Sequence, residues 1–194
     1  MSSNFYAVLS RMKYINRWGL MRNTRPESLS EHSLEAAFFA HALVLIDCRR
    51  FGGRLSPDRA AVLAMFHDAS EIITGDLPTP VKYYNDDIRR SYKMAEAAAC
   101  SRLAEFLPDD IRADIEPLIR EEDEQYRPFI KAADKLSALA KCIEERRMGN
   151  SEFAKAEQAQ RAAIAAMKLP AADAFLAEFM DSYALTLDEL GLQK

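Results

Sequence analysis

Only three histidines, three cysteines, one tryptophan and six glycines occur among the 194 residues, and each scarcity narrows the possibilities. Cys48, Cys100 and Cys142 are odd in number, widely separated and outside any C-x-x-C pattern. They fit reduced thiols serving as small apolar fillers rather than a disulfide framework. Low glycine and proline content, with 49% hydrophobic and 29% charged residues, excludes fibrous and disordered chains. Basic charge is not in excess: 26 Lys and Arg against 30 Asp and Glu leave a net charge of -4. Without a concentrated basic surface, nucleic acid polymers and anionic membranes are not expected partners, and an anionic ligand must be held by local contacts. The opening "MSSNFYAVLSRMKYINRW" has no signal-peptide core, and no apolar run approaches the ~18 residues of a membrane span, so a cytoplasmic location is expected. No stretch alternates at period two or is rich in Val, Ile and Thr, and no repeat or linker divides the chain.

What the sequence does have is helical periodicity. Phe5, Val8, Leu9, Met12 and Ile15 recur at spacings of three and four, which predicts a helix over 4–15 with one buried face. "NRWGLMRNTRPES" follows as a loop. Ser30 is taken as the N-cap of a second helix that stops at Gly52-Gly53. Ser56-Pro57 pairs an N-cap with a first-turn proline for a third, running through "DRAAVLAMFHDASEII" to Gly75. The "DLPTP" loop then precedes helices over about 86–106, 109–120, 128–148, 151–168 and 172–184, with a frayed tail over about 186–194. The expectation is an all-α, single-domain bundle spanning 1–194 with its core over about 4–185.

One polar pair interrupts this pattern. In "AMFHDASEIITGDLPTP", His67 and Asp68 are neighbours about 100° apart on a helix, so both reach one cation lying over that face. Glu71, four residues after His67 and three after Asp68, converges on the same edge, leaving Leu63, Phe66 and Ile73 for the core. Imidazole with carboxylate suits Mn, Co, Fe, Ni or Zn better than Mg or Ca, but two ligands do not hold a metal. The other histidines, His32 and His41, lie nine residues apart and half a turn out of phase, so one of them is not a ligand. His32 stands in the polar first turn "SEHS", reachable from a cleft, whereas His41 follows "AAFFA" and suits packing or an interface. Asp134 breaks an apolar face in "FIKAADKLSALAKC", as a further ligand or as a solvated partner of Lys131 and Lys135.

In order, His32, His67-Asp68 and Asp134 resemble the H…HD…D signature of the HD-domain metal-dependent phosphohydrolases. More specifically, "LSRMKYINRWGLMRN", "SEHSLEAA", "HDASEIITGDLPTPVKYYN" and "KAADKLSALAKCIEE" resemble blocks of the bacterial 5'-deoxynucleotidases of the YfbR type, with likeness from about Phe5 to Leu190. The resemblance implies an all-helical HD fold, a homodimer, and hydrolysis of 2'-deoxyribonucleoside 5'-monophosphates to nucleoside and phosphate. It implies one divalent transition metal per subunit, Co or Mn or another of Fe, Ni, Cu and Zn, held by His32, His67, Asp68 and Asp134. Glu71 matches the carboxylate beside the attacking water. Arg17, which orients the phosphate, and Trp18 match residues at the substrate, which His32, Asp68 and Asp134 also face. Asp76, Leu77, Pro78 and Thr79 match a wall of the nucleotide site.

The residue chemistry is consistent with those roles. A divalent ion polarises a phosphoryl oxygen and lowers the pKa of bound water, Glu71 is placed to handle the water's proton, and Arg17 offers a forked donor to two phosphate oxygens. A close apolar wall at C2', for which Trp18 is the candidate, rejects a ribonucleotide by sterics and by leaving its hydroxyl unpaired. Pro78 and Pro80 stiffen the following loop, and Asp76 can accept from a sugar hydroxyl. Nothing reads one base over another, and His41 is on the wrong helical face for a second metal. Alternative readings are a deoxynucleoside triphosphate hydrolase, a cyclic nucleotide phosphodiesterase, or a non-catalytic metal-stabilised nucleotide-sensing module. The first needs more cations than Arg17, Arg22, Arg25 and Lys82 supply nearby, and the presence of Glu71 and Arg17 argues against the last.

Overall fold

Ser28, not Ser30, caps the second helix, because only Ser28 has a glutamate three residues later. Its hydroxyl accepts from the Glu31 N–H, and the Glu31 carboxylate accepts from the Ser28 N–H at 2.8 Å, a reciprocal capping box. The resulting α2, Leu29–Ile46, winds on through a π turn at Asp47–Phe51 and ends at Gly52 with φ 80°. The structure, a computed structural model, describes residues 3–82 and 84–191. Before α2 lie α1, Phe5–Leu9, and a 3-10 turn, Ser10–Tyr14, which together replace the predicted continuous first helix. After it come α3, Pro57–Phe66, capped by Ser56 as expected, and the short α4, Glu71–Thr74, and α5, Thr79–Lys82. The long α6, Asp86–Ala104, leads to α7, Asp109–Ile119, and the central α8, Arg127–Arg147. A 3-10 turn at Ser151–Phe153, then α9, Ala154–Ala166, α10, Pro170–Phe179, and a 3-10 turn at Met180–Ala184 complete the described chain. The fold is all-α: among the described residues the only extended pairing is an isolated bridge, Asn16 with Ser28. The last three residues of the predicted frayed tail lie outside the described residues; Thr186 and Glu189 fold the part before them into a turn.

α2 is the spine. It packs between α3 and α8, and Ala36, Ala40, Leu43, Leu63, Leu136 and Leu139 are sealed there. Burying each of these leucines contributes about 1.5–3 kcal/mol. This corrects the expectation about apolar runs: Leu29–Phe51 is long and apolar enough to reach across a membrane, but 56% of that window is buried as a core helix.

The largest departure from the sequence reading lies at the polar pair. α3 stops at Phe66, and residues 67–70 wind as a tight turn with N–H to C=O links from Ala69 to Phe66 and from Glu71 to Asp68, both 3.0 Å. The predicted unbroken helix to Gly75 is therefore two helices with a corner between them. Beyond the corner the apolar phase changes, so Ile73, expected in the core, is 50% exposed.

The segment 16–28 is a loop tied at both ends. At its base Arg17 N–H bonds to Glu27 O at 2.9 Å and Leu29 N–H to Ile15 O at 2.8 Å. Farther along, the buried Glu145 of α8 accepts from Thr24 N–H at 2.8 Å, Arg25 N–H at 3.1 Å, Asn150 Nδ2 at 2.8 Å and Lys141 Nζ. A buried carboxylate satisfied this fully is costly to remove, and here it clamps the loop to the core.

Candidate active site

His32 from α2, His67 and Asp68 from the corner, and Asp134 from α8 meet at one point. The nitrogen and oxygen atoms of His32, His67 and Asp68 that face it all lie within 4.8 Å of one another. Asp134 joins at the edge, its Oδ1 3.3 Å from His32 Nε2 and its Oδ2 accepting from Lys135 at 3.0 Å. Its two oxygens thus face different ways, one toward the imidazoles and one toward Lys135. His32 is fully buried and the His67 side chain is 7% exposed, yet among the described residues neither Nε2 makes an aligned hydrogen bond, although His67 Nε2 lies 3.1 Å from Asp68 Oδ2 and His32 Nε2 3.3 Å from Asp134 Oδ1. Two imidazole nitrogens buried without aligned hydrogen bonds beside two carboxylates form a donor set that fits a divalent transition metal.

The far side of each imidazole is fixed. His67 Nδ1–H donates to Ala64 O at 2.7 Å. His32 Nδ1 meets Ser137 Oγ at 2.9 Å, and that hydroxyl gives its single proton to Glu35 at 2.7 Å, so the imidazole is the donor and its Nε2 is left free. Sequence reasoning missed both supports. The available signal was spacing: Glu35 and Ser137 lie three residues after His32 and Asp134, on the same helical faces. Ser137→Ala is expected to lower metal affinity about 10- to 100-fold without unfolding the protein, measured by titration of the metal-stripped enzyme.

Charge is crowded here. Burial opposes protonation of His67, but Asp68 and Asp134 outweigh it and lift the imidazole to about 10. Burial raises the Asp68 carboxyl, and the two imidazoles more than reverse this, holding it well below the usual range. Glu71, 6% exposed with Oε2 unpartnered, is pushed up to about 9 by burial and by Asp68 and Asp76, against the pull of Arg17 and Lys82. The tight corner explains its placement: with about three residues per turn, Glu71 comes over Asp68 rather than following His67 around a regular helix.

Arg17 spans the carboxylates, with Nη1 3.4 Å from Asp68 and Nη2 3.9 Å from Asp134. Next to it Trp18 adopts φ 60°, left-handed backbone that costs a bulky residue about 1–2 kcal/mol and persists only where its surroundings impose it. Its indole donates to Glu27 at 2.6 Å and packs on Phe153 at 5.3 Å between centroids. Asp76 is half-buried; burial raises its carboxyl while the charge of Arg17 draws it down. Gly75 turns the chain into this loop at φ 74° and ψ 161°, a region essentially confined to glycine.

The rest of the predicted wall runs from Leu77 into the start of α5. Leu77 lines an open cleft of about 550 Å3 with Thr74, Tyr92 and Ala95, and Thr79 is exposed in α5 rather than in a loop. Lys82 pins α5 to α6 through Glu96 at 2.9 Å. His41 is remote: its Nε2 faces Asp58 at 3.5 Å on the half-exposed side of α2, as the half-turn offset requires.

Residues 4–183 match the family described as 5'-deoxynucleotidase YfbR-like. The chain belongs to that family. It is 48% identical over 192 residues to 5'-deoxynucleotidases of Yersinia pestis and Yersinia pseudotuberculosis, covering 98% of either chain. Among solved structures, an HD-domain phosphohydrolase from Listeria innocua superposes with a TM-score of 0.79 at 20% identity, covering 97% of this chain and 92% of that one. The cyanophage S-2L HD phosphohydrolase DatZ, solved with dA and one catalytic zinc ion, gives 0.65 at 18% identity over 93% of this chain and 96% of that one. The bundle is therefore an HD-domain fold carried by a YfbR-like 5'-deoxynucleotidase.

Proposed function

We propose that this YfbR-like protein is a metal-dependent phosphomonoesterase that hydrolyses 2'-deoxyribonucleoside 5'-monophosphates to deoxynucleoside and phosphate. The observation that carries the reading is the convergence of two imidazole nitrogens without aligned hydrogen bonds, two carboxylates, a buried glutamate and an arginine at one corner of the fold. His32, His67, Asp68 and Asp134 hold one divalent transition metal per subunit, Co or Mn or another of Fe, Ni, Cu and Zn. Bound there, it supplies Lewis-acid polarisation of a phosphoryl oxygen and a hydroxide-like water near neutral pH. Arg17 orients the phosphate through its guanidinium fork and stabilises charge building on the equatorial oxygens. Glu71 takes the proton of the attacking water, and Trp18 with Asp76, Leu77, Pro78 and Thr79 flanks the sugar. No side chain here selects a base, so base discrimination is small.

The same proposal makes the chain one HD domain over its whole length, in the cytoplasm, free of nucleic acid and membrane. It is homodimeric, a reading supported by exposed Leu34, Phe38 and Leu45 on α2 beside Val62 and Met65 on α3. Metal-stripped protein reloaded with Mn or Co and given dAMP, AMP, dATP and cyclic AMP will release phosphate from dAMP and little from AMP. Equal release from dAMP and AMP ends the 2'-deoxy assignment, and pyrophosphate products or binding without turnover end the phosphomonoesterase one.

A further inference from the structure

We propose that Glu27 is a positioning residue that fixes the Trp18 indole and so sets the discrimination between deoxyribose and ribose; the inference rests on the reading of Trp18 as the sugar wall. Glu27 is 8% exposed although it belongs to a surface loop. One of its carboxylate oxygens, Oε2, accepts from Trp18 Nε1 at 2.6 Å and lies 3.7 Å from Arg17 Nε, so one atom faces both substrate-side residues. Among the described residues no other partner serves either donor: the indole has one N–H, and Arg17 Nε makes no hydrogen bond.

Trp18 is held at three other points, and none fixes how the ring is turned. Its carbonyl accepts from Met21 N–H at 2.9 Å and from Asn23 Nδ2 at 3.4 Å, and its backbone is left-handed. These contacts fix the main chain. The ring rests on Phe153 at an interplanar angle of 58°, an apolar contact that tolerates sliding. Among these contacts only the directional bond to Glu27 fixes the rotation of the indole. A wall that rejects a single hydroxyl must hold its place to a fraction of an ångström, and a directional charge-assisted bond does that where packing alone does not.

Glu27 also accepts from Arg17 N–H through its main-chain oxygen, a contact every substitution retains. Changing the side chain therefore tests the carboxylate without opening the base of the loop. The experiment measures kcat and KM for dAMP and AMP, with melting temperature, in the Mn-loaded wild type, E27A, E27Q, W18F, W18A and the E27A/W18F pair. Expected for E27A is a dAMP/AMP ratio of kcat/KM reduced at least about fivefold, comparable to loss of one hydrogen bond to a charged group. E27Q, whose amide oxygen still accepts from the indole, keeps the ratio within about twofold. W18F, which keeps a ring but has no donor, lowers the ratio, and adding E27A to it lowers the ratio no further. A ratio unchanged in E27A while W18A alters it overturns the inference and leaves the sugar-wall reading standing. A ratio unchanged in W18A ends both. Should E27A fail to fold, W18F decides: an unchanged ratio there overturns the inference.

Discussion

Glu71→Gln leaves metal content and nucleotide binding intact and lowers kcat by about a hundredfold to ten-thousandfold, the range for loss of a positioned general base. The substitution preserves shape at a residue that is 6% exposed, so packing is unchanged and the lost function is proton transfer. With protein charges alone the carboxyl, pushed up to about 9, holds its proton at neutral pH. Arg17 and Lys82 pull it toward ionisation, and a bound divalent cation acts in the same direction. Metal analysis, dAMP titration and single-turnover phosphate release on one preparation separate the three quantities. A variant within about tenfold of wild-type kcat removes Glu71 from the proton-handling role.

Asp134→Ala is expected to lose the metal. Its Oδ1 stands 3.3 Å from His32 Nε2, and it is the only contribution of α8 to the ligand cluster, so its removal leaves the site open on that side. Loss of a direct ligand exceeds the 10- to 100-fold effect of losing a supporting contact, so purified D134A should hold well under one metal per chain and regain turnover only at high added Mn. Circular dichroism should be unaltered, because Asp134 lies at the half-exposed rim rather than in the packed face of α8. Full metal content in D134A would show that three residues suffice and that the ligand set is smaller than proposed.

Most helices were legible because they follow from local spacing, and spacing also narrowed the choice between His32 and His41, whereas the four-residue ligand set came from the resemblance to the HD-domain phosphohydrolases. Capping by Ser56, the half-turn offset of His32 from His41, the Gly52-Gly53 stop of α2 and the apolar face of α8 are properties of segments a few turns long. The corner at residues 67–70 was not legible. "MFHDASEII" carries neither proline nor glycine, and nothing in its composition opposes a continuous helix. The break exists because the polar atoms of His67 and Asp68 face a cluster assembled from α2 and α8, which is tertiary information. Glu27 was invisible for a related reason: its role depends on a loop returning to its own start, which no periodicity encodes. Ser137 and Glu35 lay between these cases, at helical spacing from ligands but without significance until the partner helices were in place.

The clamp by Glu145 gives the loop over 16–28 a particular thermodynamic status. A surface loop ordinarily opens at a small fraction of the global unfolding free energy, as its own cooperative unit. This one has its base bonded into the start of α2 and its far end bonded to a buried carboxylate of α8, so opening it breaks contacts inside the core. The amide protons of the segment that carries Arg17 and Trp18 are therefore expected to exchange at free energies nearer to global unfolding than those of an ordinary surface loop, measured by native-state hydrogen exchange.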